Sequence, residues 1–295
     1  MARPIVRGTA AWKYFGDFRD GLLAGQVLVL QVAHPVVAAG VRDHSDYTSD
    51  PWTRLMRTGA SLSIYVYGGV AGARVEAARL RALHRSFTGL SDGRRYSALD
   101  PAAYAWVHAT LVKVPVDAQR FFGRPLSTSE LDEYYAQMRA IGRLLGVRER
   151  DLPPDWVSFE RYYDEMVAGF AGNPTIDQLF ETIRTVAKPV RWLPDSWWRW
   201  HARTQMFLLR ATLPPGLRDR VGLQWTSRDQ RRFARLARVV RILATPIPAG
   251  LRTAHMRWIG KLNVWFRAHP KAYERLIGGN GPGAKTSHEG HPHGF

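Results

Sequence analysis

The chain has 295 residues, 45% of them hydrophobic, and a formal charge of +17. That is apolar mass enough for one large domain with a sizeable core, and it excludes a disordered chain. There is no cysteine, which excludes disulfides, thiolate metal sites, iron–sulfur clusters and cysteine nucleophiles; a metal would fall to His, Asp, Glu or Tyr.

From the N-terminus, residues 1–8 lack the basic stretch and apolar core of a secretory leader, and the cysteine-free composition suits a reducing compartment. A cytoplasmic protein is therefore expected. The most apolar early run, residues 21–41, is interrupted by Gln26, Gln31, His34 and Pro35. Polar groups so near the middle of a span are costly, so a buried helix over 18–41 is predicted in place of a membrane crossing.

Beyond it, apolar residues recur at spacings of three and four, with no sustained alternation of period two. Helices are predicted over 51–67, 73–88, 101–121, 129–145, 158–170, 175–187, 197–212, 228–243, 248–258 and 262–276. Their starts are marked by Asp50-Pro51, Asp100-Pro101, the Ser127–Glu130 pair, Ser158 and Thr175. Turns are marked by Gly68-Gly69, Ser91-Asp92-Gly93, Pro153-Pro154, Asn173-Pro174 and Pro214-Pro215-Gly216. The result is an all-α single domain over 1–277, without an internal repeat. Residues 278–295 form a Gly- and His-rich tail too poor in apolar groups to order itself.

The charge is unevenly spread. Residues 1–188 carry 23 Lys/Arg against 20 Asp/Glu, whereas 189–277 carry 18 against 4 together with seven of the eleven Trp. In the helix expected at 228–243, Arg228, Arg231, Arg232, Arg235, Arg238 and Arg241 stand opposite Phe233, Leu236, Val239 and Val240. Such a helix packs on a bundle as an ordinary surface element, or lies on a membrane headgroup layer. Nucleic acid is the least favoured partner, because no binding module accompanies the charge.

Three stretches could carry chemistry. Residues 33–47 set His34, Asp43, His44 and Asp46 around Gly40 in apolar surroundings. Residues 51–61 place Arg54 and Thr58 on one helix face, with Arg57 beside them and Ser61 below; the pattern suits a solvated face, or two guanidiniums aimed at a carboxylate or at oxygen. Then His84 shares a face with Leu80 and Phe87, and His108 with Tyr104, Leu111 and Val112. A neutral imidazole among apolar side chains is what haem iron needs on its proximal side, although a single buried histidine is more often a hydrogen-bonded core residue. Other schemes lack parts: there is no H-E-x-x-H, G-x-S-x-G, P-loop or Glu-x-x-His pair.

The ordered set Ala33-His34-Pro35, Ala39-Gly40-Val41, His44-Ser45, Pro51, Arg54, Arg57-Thr58, Leu83-His84, residues 96–101, residues 106–111 and Tyr134-Tyr135 resembles the MpaB-type oxygenase family (DUF2236), which includes the latex-clearing proteins, or rubber oxygenases. The resemblance runs from about residue 10 to 250 and implies an all-helical bundle of the latex-clearing-protein type enclosing a haem b pocket. It implies one proximal histidine, matched best by His84 with His108 in reserve. It also implies a distal Arg-x-x-Lys-Thr motif, matched by Arg54, Arg57 in the Lys place, and Thr58. Arg54 and Thr58 would then donate hydrogen bonds toward dioxygen or peroxide. The glutamate that the rubber oxygenases use as acid/base before this motif has no counterpart, since the first Glu is Glu76; His34, His44, Asp43 or Asp46 would have to replace it.

The implied function is a haem-dependent oxygenase acting on an intracellular apolar or terpenoid-like small molecule; separately, the charge pattern of 189–277 suits an ordinary packed surface first and peripheral membrane contact second. The alternatives are a haem- or ligand-binding helical protein without turnover, and a haem-free basic protein that associates with membrane or nucleic acid.

Overall fold

A computed structural model describes residues 4–45, 51–91, 93–188 and 192–269. Three quarters of the described residues are helical, and the only strands among them form one small hairpin. The fold is all-α, as the spacing of apolar residues predicts.

Short α1 (Ala10–Tyr14) leads through a 3-10 turn at Phe18–Leu23 into α2 (Ala24–Ala33) and α3 (Pro35–His44). The single helix expected over 18–41 is thus two helices bent by 105° at His34-Pro35. The proline ring forbids the helical conformation of the residue before it, and His34 is extended with φ −76° and ψ 124°. Val29, Leu30, Val32 and Ala33 on α2 are buried in the main core. No single described helix is long and apolar enough to cross a membrane.

Helices α4 (Pro51–Tyr67) and α5 (Gly69–Arg85) form an antiparallel hairpin turned at Gly68-Gly69. Next comes an element absent from the predicted set: β1 (Thr88–Ser91) and β2 (Arg94–Ser97), paired antiparallel across the Ser91–Gly93 turn. The predicted helix 73–88 therefore stops at Arg85.

Helix α6 (Pro101–Phe122) is the central pillar, capped by the Asp100 carboxylate accepting from the Ala103 amide at 2.9 Å. Trp106, fully buried, donates its indole N–H to the Leu30 carbonyl at 2.7 Å and so fastens α6 to α2. Helix α7 (Thr128–Leu145) opens with the expected Ser127/Glu130 capping box. Helices α8 (Trp156–Gly169) and α9 (Pro174–Thr185) complete the main core with Phe159, Tyr163, Ile176 and Phe180.

The C-terminal third adds α10 (Asp195–Thr212), short α11 (Pro215–Arg220), α12 (Ser227–Ala244), short α13 (Ala249–Arg252) and α14 (Ala254–Ala268). The expected break between helices 248–258 and 262–276 falls earlier, between the α13 turn and one continuous α14; residues 270–276 lie outside the described residues. The break lies at Thr253, whose buried hydroxyl donates to the Ala249 carbonyl and accepts from Arg257. Arg252 reaches back to the N-terminal region, donating to Asp17 at 2.8 Å beside the buried Asp17–Arg19 pair. Met256 sits against Gly16, where φ is +70° and a Cβ would meet the Met256 side chain. The tail 278–295 lies outside the described residues.

His108 belongs to this framework. It is buried in the α6–α7 contact, and its Nε2–H donates to the Met138 carbonyl at 3.0 Å. Because the partner is a carbonyl, the proton resides on Nε2. Burial pushes the imidazole pKa down to about 4 from its ordinary 6.5. With a folded pKa below the unfolded one, the unfolded chain takes the proton first. Stability is full above pH 6.5 and is lost as pH falls toward 4, by up to about 3 kcal/mol. Urea denaturation across this range is expected to show that loss. His108→Gln, which retains a donor, is expected to flatten it, and an unchanged slope would contradict the assignment.

Candidate functional site

The α4–α5 hairpin is held by a buried carboxylate. Glu76 on α5 is 1% exposed and accepts from the Ser61 hydroxyl of α4 at 2.6 Å. Arg79 adds a two-pronged pair to the same carboxylate, at 2.9 and 2.5 Å, and donates to Ser61 at 3.1 Å. Ser61 was expected with the polar face of Arg54 and Thr58, but it lies underneath, facing α5. Leu55 and Met56 are instead exposed. An antiparallel helix pair that aligns Ser61 with Glu76 aligns Arg54, seven residues back, with Leu83, seven residues on. The Arg54–Thr58 motif and His84 therefore occupy the same end of the hairpin. Arg54 is half-buried there, while Arg57 and Thr58 are exposed.

Around that end the other candidate side chains gather. The His84 ring meets Phe87 and Tyr104 edge-on, with centroids 5.8 Å from each. His44, at the end of α3, stacks on the other side of the chain of rings, 5.0 Å from Phe87. The β-hairpin fixes α3 in this position. His44 Nε2 bonds the Thr88 carbonyl at 3.1 Å, and the Tyr96 hydroxyl donates to Asp43 at 2.6 Å. Gly89 is required beneath Tyr96, since a Cβ there would come within 2.7 Å of the ring. His34, at the bend between α2 and α3, lies edge-on to Phe170 and within the field of Asp100 at the start of α6. Asp46 lies outside the described residues.

Four histidines thus have different commitments. His108 gives Nε2 to Met138, and a Cβ on Gly142 would approach that nitrogen to 2.8 Å, so the ring is clamped. His44 gives Nε2 to the hairpin. His34 and His84 each bury an Nδ1 that has no hydrogen-bond partner. Burial lowers the pKa of both, with the Arg79 charge adding to the effect at His84 and Asp100 opposing it at His34. Both are neutral at pH 7, with a lone pair to offer. A buried ring nitrogen without a partner costs about 1–3 kcal/mol, a cost that a ligand would remove. Asp43 differs: the Tyr96 hydroxyl foremost, and then Arg42, hold its carboxyl below the usual range.

A ligand set of three or more His, Asp or Glu does not occur among the described residues. What the donors fit is a cofactor that needs one axial imidazole and brings its remaining ligands with it, as haem does. A cleft of about 140 Å³ opens beside Arg81, Leu99, Tyr104 and Arg148, adjoining the site through Tyr104, and a smaller one lies beside His108 and Tyr135.

The Glu76 contact was not foreseen, because nothing in the local pattern marks a helix-buried glutamate whose partners stand on another helix. Removing it is expected to loosen this end of the molecule. Glu76→Ala should cost about 2 kcal/mol, below the range for a fully buried pair because Arg79 is partly solvated. Ser61→Ala should cost about 1 kcal/mol. Urea denaturation measures both, and wild-type stability in Glu76→Ala would contradict the role given to the carboxylate.

Comparison with known proteins follows the same boundaries. Residues 12–242 match the model of the family described as ER-bound oxygenase mpaB/B'/Rubber oxygenase, catalytic domain. The chain is 29% identical over 260 residues to the uncharacterized protein Rv2237 of Mycobacterium tuberculosis and to the uncharacterized protein Mb2261 of Mycobacterium bovis, covering 84% of this chain and 97% of each relative. No solved structure matches. With the match spanning α2 to α12 and the helical fold it implies in place, the chain belongs to the mpaB/rubber oxygenase catalytic-domain family, a family of oxygenases.

Proposed function

We propose that the protein is a haem b-dependent oxygenase of an apolar or terpenoid-like small molecule, in which His84 would hold the haem iron. The observation that carries this reading is the unpartnered, buried Nδ1 of a neutral His84 at the hairpin end shared with Arg54 and Thr58. When bound, haem b supplies the redox chemistry of oxygen insertion.

The remaining work falls to the chain. Burial keeps the His84 imidazole uncharged at neutral pH, so its lone pair is available. Phe87 and Tyr104 restrict the ring's rotation and exclude water from it. Arg54 carries a permanent positive charge, and Thr58 a hydroxyl donor; both suit negative charge that develops on oxygen. Arg57, in the Lys place, offers a guanidinium that donates hydrogen bonds and accepts none. Glu76 cannot serve as acid/base while Arg79 and Ser61 occupy its oxygens. His34 is the better proton acceptor, because its Nδ1 is vacant and its ring neutral. Asp43, held ionised by Tyr96 and Arg42, is suited to orient a donor.

Haem reconstitution followed by absorption spectroscopy tests the proposal. The full chain is expected to develop a Soret band; His84→Ala is expected to lose it, and His108→Gln to keep it. With the band present, His34→Ala is expected to lower oxygen uptake by roughly 100-fold, the scale of a lost general base, without changing the spectrum. A Soret band indifferent to His84→Ala would overturn the ligand, and no band in the folded full chain would overturn the cofactor.

A further inference from the structure

Helices α12 and α14 carry the same unusual stripe. On α12, Arg235, Arg238, Val239 and Ile242 follow one another at i, i+3, i+4 and i+7, and all four are exposed. On α14, Trp258, Lys261, Leu262 and Trp265 repeat that spacing and exposure. These positions share one helix face. The sequence pattern places Val239 on the inner side of α12, with Phe233. In the fold Phe233 and Ala237 are buried, while Val239 is 52% exposed and Ile242 63%. Trp258 is 65% exposed, although the same helix buries Met256 and Gly260 against the bundle. Leu243 at the end of α12 and Leu251 on α13 are exposed as well.

The charge around these side chains has one sign. Residues 230–269 contain nine Lys/Arg and no Asp or Glu. A second copy of the chain would set exposed Arg231, Arg232, Arg235, Arg238, Arg241 and Lys261 against the same cations, which opposes self-association through this face. A nucleic acid would satisfy the charge but leave isoleucine, leucine and valine in contact with phosphate and water. An anionic bilayer surface satisfies both: cations meet lipid phosphates, Leu and Ile enter the acyl boundary, and Trp takes the headgroup layer it favours.

We infer that the α12–α14 face is a docking surface for anionic phospholipid bilayers. The surface adjoins the candidate site. α14 runs antiparallel to α4, with Arg257 over Tyr67, Gly260 against Ser63 and Ile259 against Gly59. From there α14 descends toward exposed Leu55 and Met56, which flank Arg54 and Arg57. A docked molecule would thus hold the start of α4 near the lipid. The inference stands on this face alone, whether or not the chain holds haem.

Vesicle sedimentation of the full chain tests it, with phosphatidylcholine vesicles and with equal mixtures of phosphatidylcholine and phosphatidylglycerol. The chain is expected to sediment with the anionic vesicles at low salt and to dissociate as salt rises. Trp258→Glu with Leu262→Glu is expected to lower partitioning roughly tenfold or more. Each of Arg235→Gln and Arg238→Gln should lower it roughly fivefold at low salt. Because the chain has no cysteine, Leu262→Cys accepts a single polarity-sensitive fluorophore, whose emission should shift to the blue on anionic vesicles. The same label at Val157→Cys, exposed on α8, should not respond. Absence of sedimentation by the folded chain, a silent label at residue 262, or wild-type partitioning by the double glutamate variant would each overturn the inference. So would a dimer that the double glutamate variant dissolves, or oligonucleotide binding in preference to vesicles.

Discussion

One buried carboxylate sets the geometry on which the candidate site depends. Glu76 is the first glutamate in the chain, and it lies between α4 and α5, closed in by Ser61 and Arg79. A carboxylate taken from water has to be paired, and its hydrogen bond from Ser61 of α4 helps fix how α4 slides along α5. That register aligns Arg54 with Leu83 and so brings the Arg54–Thr58 motif to the level of His84. The unpartnered Tyr65 hydroxyl, buried on the α4 side of the same contact, shows how few polar groups this seam can satisfy. The glutamate is a structural member here, its oxygens engaged by Ser61 and Arg79.

A second constraint is the bend at His34-Pro35. It turns α3 back toward the N-terminal end of α6, where the β-hairpin grips Asp43 and His44 through Tyr96 and Thr88. His44 and His84 consequently share Phe87, while His34, at the other end of α3, faces Asp100 at the start of α6.

Much of the framework is legible in the sequence because it is local. The Asp100 cap, the Ser127/Glu130 box and the Pro51 and Pro101 starts are short-range chemistry, and each begins a helix where expected. The 105° bend is not legible from periodicity, since residues on both sides of Pro35 are apolar and continue one helical pattern. The hairpin escapes as well: Thr88–Ser91 and Arg94–Ser97 are four residues each and lack an alternating apolar face, so only their turn is visible. Ser61 and Val239 are misplaced by the sequence pattern for a related reason. Which side of a helix is buried depends on a neighbour distant in the chain, α5 for the one and the solvent left open by α14 for the other. At the site, the candidate histidines are visible as residues, but their commitments are tertiary. Only the folded chain separates His108, clamped by Met138 and Gly142, from His84, whose Nδ1 is spare.

Membership of an oxygenase family joins this geometry to chemistry, and the departures from the family pattern become local questions: Arg57 as a fixed cation, and a vacant imidazole where a carboxylate is used elsewhere. The account turns on His84. Crystals of the haem-reconstituted full chain, measured at the iron absorption edge, test it most directly. An anomalous iron peak within bonding distance of the His84 ring is the predicted result; a peak at His34, His44 or His108 would contradict it.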